Sequence, residues 1–193
     1  SSSALALALN TASAGTFSGI ASVDFVSSGA GTTGAPDAAL ASQQVALSGR
    51  VYTPAIGQLN TTVVDFGIVH KGDVVGARNV SVTNAAAIAA PNDVLRGSLG
   101  GAAGPFTASG SLAGVAAQAT DTSSLGVALN TAAAGVFNGS AAASFSSHNA
   151  EMADLALPGA TVALKAQVNN FAELALGKVG GDAVPHLVDA MGD

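Results

Sequence analysis

The chain says nearly the same thing twice. Residues 9–25 read LNTASAGTFSGIASVDF and residues 129–145 read LNTAAAGVFNGSAAASF. Leu9/Leu129, Gly15/Gly135, Phe17/Phe137, Gly19/Gly139, Ala21/Ala141 and Phe25/Phe145 all keep one offset of 120 residues. After a gap the match resumes at Val45, Leu47 and Val51 against Val162, Leu164 and Val168, with an offset of 117. The shortening falls between two strand-like runs and so belongs in a loop, where a change of length disturbs few backbone hydrogen bonds. A period near 120 is too long for a solenoid repeat and fits tandem whole domains. The chain should therefore hold one complete module and part of another.

Both copies alternate with the period of two expected for a strand buried on one face. Phe17, Gly19, Ala21, Val23 and Phe25 fall on one side, and Ser18, Ser22 and Asp24 on the other. The second copy repeats this with Phe137, Ala141, Ala143 and Phe145 against Asn138, Ser140, Ser144 and Ser146. Leu5, Leu7 and Leu9 alternate with Ala4, Ala6 and Ala8, which predicts a first strand. Its repeat SSLGVALN at residues 123–130 lies deep inside the chain, so the opening reads as a strand and not as a leader. Residues 27–43 are a Gly- and Ser-rich loop. Val45, Leu47, Gly49 and Val51 then mark a third strand. Residues 1–53 thus give the C-terminal half of a β-sandwich module.

Residues 54–60, with Pro54 and Gly57, read as a junction. Residues 61–171 then carry about seven short strands separated by turn signals, the pattern of an antiparallel sandwich. Val80 and Val82 should face inward and Asn79, Ser81 and Thr83 outward. Residues 85–93 form a brief helix or a loop. Residues 172–193 begin another junction or module, with one helical turn expected at PHLVDAMG. The expected fold class is all-β, an immunoglobulin-like antiparallel sandwich in which one complete module follows the last three strands of another.

Hydrophobic residues make up 49% of the chain but aromatics only 4%, with no Trp, so much of the apolar content is Ala and the core must be thin. The net charge of −6, with Lys and Arg scattered singly, disfavours nucleic acid and anionic membranes as partners. No Cys is present, so disulfide and thiol chemistry do not enter. No run approaches the roughly 20 apolar residues of a membrane-spanning helix.

At residues 63–84, VVDFGIVHKGDVVGARNVSVTN, a resemblance enters. Asp65, Phe66, Gly67, Val69, Gly72 and the strand ending at Asn84 resemble the opening of immunoglobulin-like modules of the hydin and major-sperm-protein type. Residues 60–171, including SLAGVAAQATDTSSLGVALNTAAAGVFNG and VALKAQVNNFA, resemble the bacterial choice-of-anchor D repeat. Residues 1–53 resemble the last three strands of a preceding copy. The resemblance implies an exported sandwich, extracellular and on the bacterial cell surface, in tandem arrays with varied anchors. It supplies no active site.

The residues themselves supply none either. His70, His148 and His186 lie outside metal-ligand spacing of one another. No nucleophile elbow or equivalent signature singles out a Ser, His and Asp set, so an enzyme is not expected. Calcium wants six to eight oxygens, and Asp65, Asp73, Asp93, Asp182, Asp189 and Asp193 match no loop template. No cofactor is expected, and calcium is the one ion kept in view. Asn60, Asn79 and Asn138 open N-x-S/T triplets that chance supplies readily in such a chain.

The unpartnered half-module is the informative feature. Leaving Leu5, Leu7, Leu9, Phe17, Val23, Phe25, Val45 and Leu47 in water forgoes about 1.5–3 kcal/mol for each large side chain. An isolated three-stranded sheet also presents raw edges that invite pairing. These residues are the candidate assembly face, with other copies of the chain or adjacent modules as partners. The expected function is a structural subunit of a filament, array or surface layer. The rival is an adhesin-type binding module for glycan or a host protein, for which one Tyr and no Trp equip the chain poorly.

Overall fold

The computed structural model describes residues 5–174, and among them every regular element is a β-strand. The strands are β1 (Gly15–Val23), β2 (Val26–Ser27), β3 (Ala38–Ala39), β4 (Gln43–Val51), β5 (Gly57–Leu59) and β6 (Val63–His70). They continue with β7 (Arg78–Asn84), β8 (Val94–Gly100), β9 (Phe106–Val115), β10 (Thr120–Leu129), β11 (Gly135–His148) and β12 (Leu155–Asn169).

From β5 onward the ladder order is β5-β7-β10-β9-β8-β11-β12-β6. The pairings are antiparallel except along the β12–β6 edge, where the strands run parallel. The ladder folds into two layers because β9 changes sheets. Residues 106–110 of β9 pair with β10, whereas Ser111, Leu112 and Val115 pair with β8. Gly110 is the corner: its φ is +112°, and a Cβ there would lie 2.1 Å from the Ser124 carbonyl oxygen. Only glycine permits that approach. The result is an immunoglobulin-like β-sandwich.

The inward parity of each strand builds the core. Val80 and Val82 of β7 and Leu125 and Val127 of β10 are fully buried against Leu95 of β8 and Val162 and Leu164 of β12. Asn79 is exposed, as the alternation predicts, and Ser81 and Thr83 are half-buried. The core is thin enough that one ring spans it. Phe145 lies against Gly57 and Gly97, at each of which a Cβ would fall 2.9 Å from a ring carbon. Phe66 and Phe106 stack at 6.2 Å between centroids.

Residues 5–9 depart from the strand expected there. Leu5, Leu7 and Leu9 belong to no strand. Their repeat in β10 is held on both sides, by β7 and by β9, and among the described residues no equivalent of either lies beside residues 5–9. The half-module therefore comprises the long hairpin β1–β4 and the small pair β2–β3. Residues 85–93 form a loop rather than a helix, with a cis bond between Ala90 and Pro91. The helical turn expected at residues 185–192 lies outside the described residues.

The passage between the two parts is knitted to the complete module. Arg50 pairs with Glu151. Thr53 donates its N–H to the Pro91 carbonyl at 3.0 Å and accepts from Asp93 N–H at 3.0 Å. Ala55 N–H donates to Ser147 Oγ at 2.7 Å, and Ile56 N–H donates to Asn84 Oδ1 at 3.0 Å.

Candidate assembly face

The two copies of the repeated hairpin share one pairing register. In β1–β4, Gly15 opposes Val51, Phe17 opposes Gly49, Gly19 opposes Leu47 and Ala21 opposes Val45. In β11–β12, Gly135 opposes Val168, Phe137 opposes Ala166, Gly139 opposes Leu164 and Ala141 opposes Val162. Each pair in the first hairpin maps onto a pair in the second through the offsets read from sequence. Even a local contact is copied: a Cβ on Gly15 would lie 3.1 Å from the Phe17 ring, and one on Gly135 would lie 3.1 Å from the Phe137 ring.

Burial is where the copies part. Val45 is 45% exposed while Val162 is fully buried, and Phe25 is 44% exposed while Phe145 is 5% exposed. Leu5, Leu7 and Leu9 are exposed, and their counterparts Leu125, Val127 and Leu129 are buried. Phe17 is exposed, and Val23 and Leu47 are half-buried. Leu7, Leu9, Phe17, Gly19 and Leu47 line an open apolar groove on this face. Both outer edges of β1–β4 are also free of ladder partners among the described residues, whereas β11 pairs with β8 and β12 with β6.

The polar residues singled out from sequence are scattered. His70 stacks on Phe171 with centroids 4.5 Å apart and donates its backbone N–H to Asp73 Oδ2 at 2.7 Å, closing a turn. His148 Nδ1 lies 2.6 Å from Asp154 Oδ1 at the surface, and that hydrogen bond holds the Asp154 carboxyl below the usual carboxylate range. Asp65 accepts from Gly67 N–H at 2.8 Å. Asn60, Asn79 and Asn138 are exposed. No cluster of three or more His, Asp or Glu able to hold a metal occurs among the described residues. His186, Asp182, Asp189 and Asp193 lie outside the described residues.

Three polar positions matter more than the sequence suggested. Asp93, which matches no calcium-loop template, is buried and accepts from Ser147 Oγ at 2.7 Å and Asn149 Nδ2 at 2.8 Å. Asn84 is fully buried, accepting from Ile56 and Ala86 N–H and donating to the Val115 carbonyl. It continues the inward parity of Val80 and Val82, so a polar side chain at an inward position was the available signal. Asp121 accepts from Ser124 Oγ at 2.7 Å and from Ser124 and Ser123 N–H, which hold its pKa below the ordinary value. These bonds brace the register shift between Asp121 and Leu125 in β10.

No family model matches the chain, and no curated protein matches it. Among solved structures, the ASH / PapD-like domain of human CEP192 (PapD-like domain 7) is similar, at 9% identity and a TM-score of 0.43. The similarity covers 60% of this chain and 87% of that one. Among the described residues, no helix is long and apolar enough to cross a membrane.

Proposed function

We propose that this chain is a structural, non-enzymatic subunit of an extracellular assembly, a filament, array or surface layer. It is built from tandem immunoglobulin-like modules of the choice-of-anchor D kind, whose strands complement one another between modules or subunits. The observation that carries this reading is the hairpin β1–β4, which repeats β11–β12 in sequence and register yet exposes the residues whose counterparts are buried. A surface already spaced like a module interior is suited to receive strands of the same kind. The hydrogen-bonded passage at Thr53 and Ala55 supports the array, because it fixes one unit relative to the next.

The test is the size and form of the purified protein. Multi-angle light scattering across a concentration series should give a mass that rises above the 18.4 kDa of one chain, and electron micrographs of concentrated material should show fibres or sheets. A compact monomer at every concentration tested counts against the proposal.

A further inference from the structure

We propose that residues 5–9, together with the groove beside them, accept a strand of the β9 type from another copy of the repeat, with its phenylalanine seated over Gly19. This rests on the assembly reading and names the partner's chemistry. In the complete module β9 pairs with β10: Phe106 opposes Leu129, Ala108 opposes Val127 and Gly110 opposes Leu125. Those β10 residues repeat Leu9, Leu7 and Leu5. The Phe106 ring lies 3.2 Å from where a Cβ on Gly139 would sit, and it stacks on Phe66. Gly139 repeats Gly19, where a Cβ would meet nothing within 4 Å. The groove over Gly19 is lined by Leu7, Leu9, Phe17 and Leu47, which repeat Val127, Leu129, Phe137 and Leu164 of the core to which Phe106 belongs.

Two separate needs therefore meet at one place. Among the described residues the backbone of residues 5–9 has no ladder partner, and the apolar groove beside it matches a site that holds a benzyl ring in the other copy. A β9-type strand answers both, with main-chain hydrogen bonds to residues 5–9 and a ring in the groove. The β9 described here is already seated between β10 and β8, so the occupant is a different strand of the same type.

The probe is a synthetic peptide of residues 104–112, GPFTASGSL, titrated into the full chain by fluorescence anisotropy, with amide hydrogen exchange of residues 5–9 as the structural readout. The peptide should bind and protect these amides. Replacing its phenylalanine (Phe106→Ala) should weaken binding about tenfold or more. Gly19→Phe in the protein, which fills the groove from within, should do the same. Thr16→Phe, on the opposite face of β1, should leave binding unchanged. Absence of peptide binding overturns the proposal, as does equal binding by Gly19→Phe or by the Phe106→Ala peptide. Peptide binding by a protein that stays monomeric supports the seat while removing the assembly reading. Self-association that persists in Gly19→Phe removes the seat and leaves that reading standing.

Discussion

Phe25 and Phe145 occupy the same place in the repeat, so truncating each to alanine compares one side chain in two surroundings. Phe145 is 5% exposed, and its ring lies against the backbone at Gly57 and Gly97. Those glycines belong to two different ladders, β5 with β7 and β8 with β11, whose hydrogen bonds limit any collapse into the space left behind. Phe145→Ala should therefore fall toward the upper end of the usual range for a buried phenylalanine, about 4–5 kcal/mol. Phe25 is 44% exposed, so removing it loses about half of a transfer term and leaves a gap open to water. Its cost should be about 1 kcal/mol or less. In a sandwich of this size, Phe145→Ala should lower Tm by roughly 15 °C and Phe25→Ala by a few degrees. The assay is differential scanning calorimetry on full chain, at a dilution where sedimentation shows a monomer. Equal losses for the two variants in monomeric protein would refute the reasoning, since they would place Phe25 in a closed core.

Three further outcomes follow from named contacts. Asn84→Ala strands the Ile56 and Ala86 N–H groups and the Val115 carbonyl in the interior, and should cost about 2–3 kcal/mol in urea unfolding at an unchanged m-value. Gly110→Ala forces a side chain onto the Ser124 carbonyl at a φ of +112°, and should lower Tm by at least about 10 °C or abolish folding in circular dichroism. Asp121 titrates below its ordinary value in the folded protein, so its contribution is present above the unfolded carboxylate pKa of about 3.9 and is lost as pH falls through the lower folded value. Ser124→Ala removes the largest cause of that shift, and NMR titration should show the Asp121 pKa rising toward the ordinary range.

The faces of the hairpin strands were legible because two copies of one alternation, read side by side, specify which residues share a face. Which residues oppose one another, such as Phe17 and Gly49 or Phe137 and Ala166, emerges only in the structure, because alternation leaves the register between two strands open. The status of Leu5, Leu7 and Leu9 was not legible. A period of two reports which face a side chain takes, and says nothing of whether the backbone finds a ladder partner. The corner at Gly110 and the braced shift at Asp121 were hidden because alternation breaks at such places and leaves only ordinary loop residues to read. The burial of Asp93 was hidden for a related reason: it depends on Ser147 and Asn149, which lie more than fifty residues away in sequence.

The stitching at Thr53 has a mechanical consequence. A pull on the upstream hairpin reaches the complete module through Thr53, bonded to Pro91 and Asp93, and through Ala55, bonded to Ser147. Ser147 in turn donates to the Asp93 carboxylate, so the two anchor points share load. Tension on the passage is thereby delivered to the end of β11 and the start of β8, next to each other in the same ladder, and must shear several short bonds together before the module gives way.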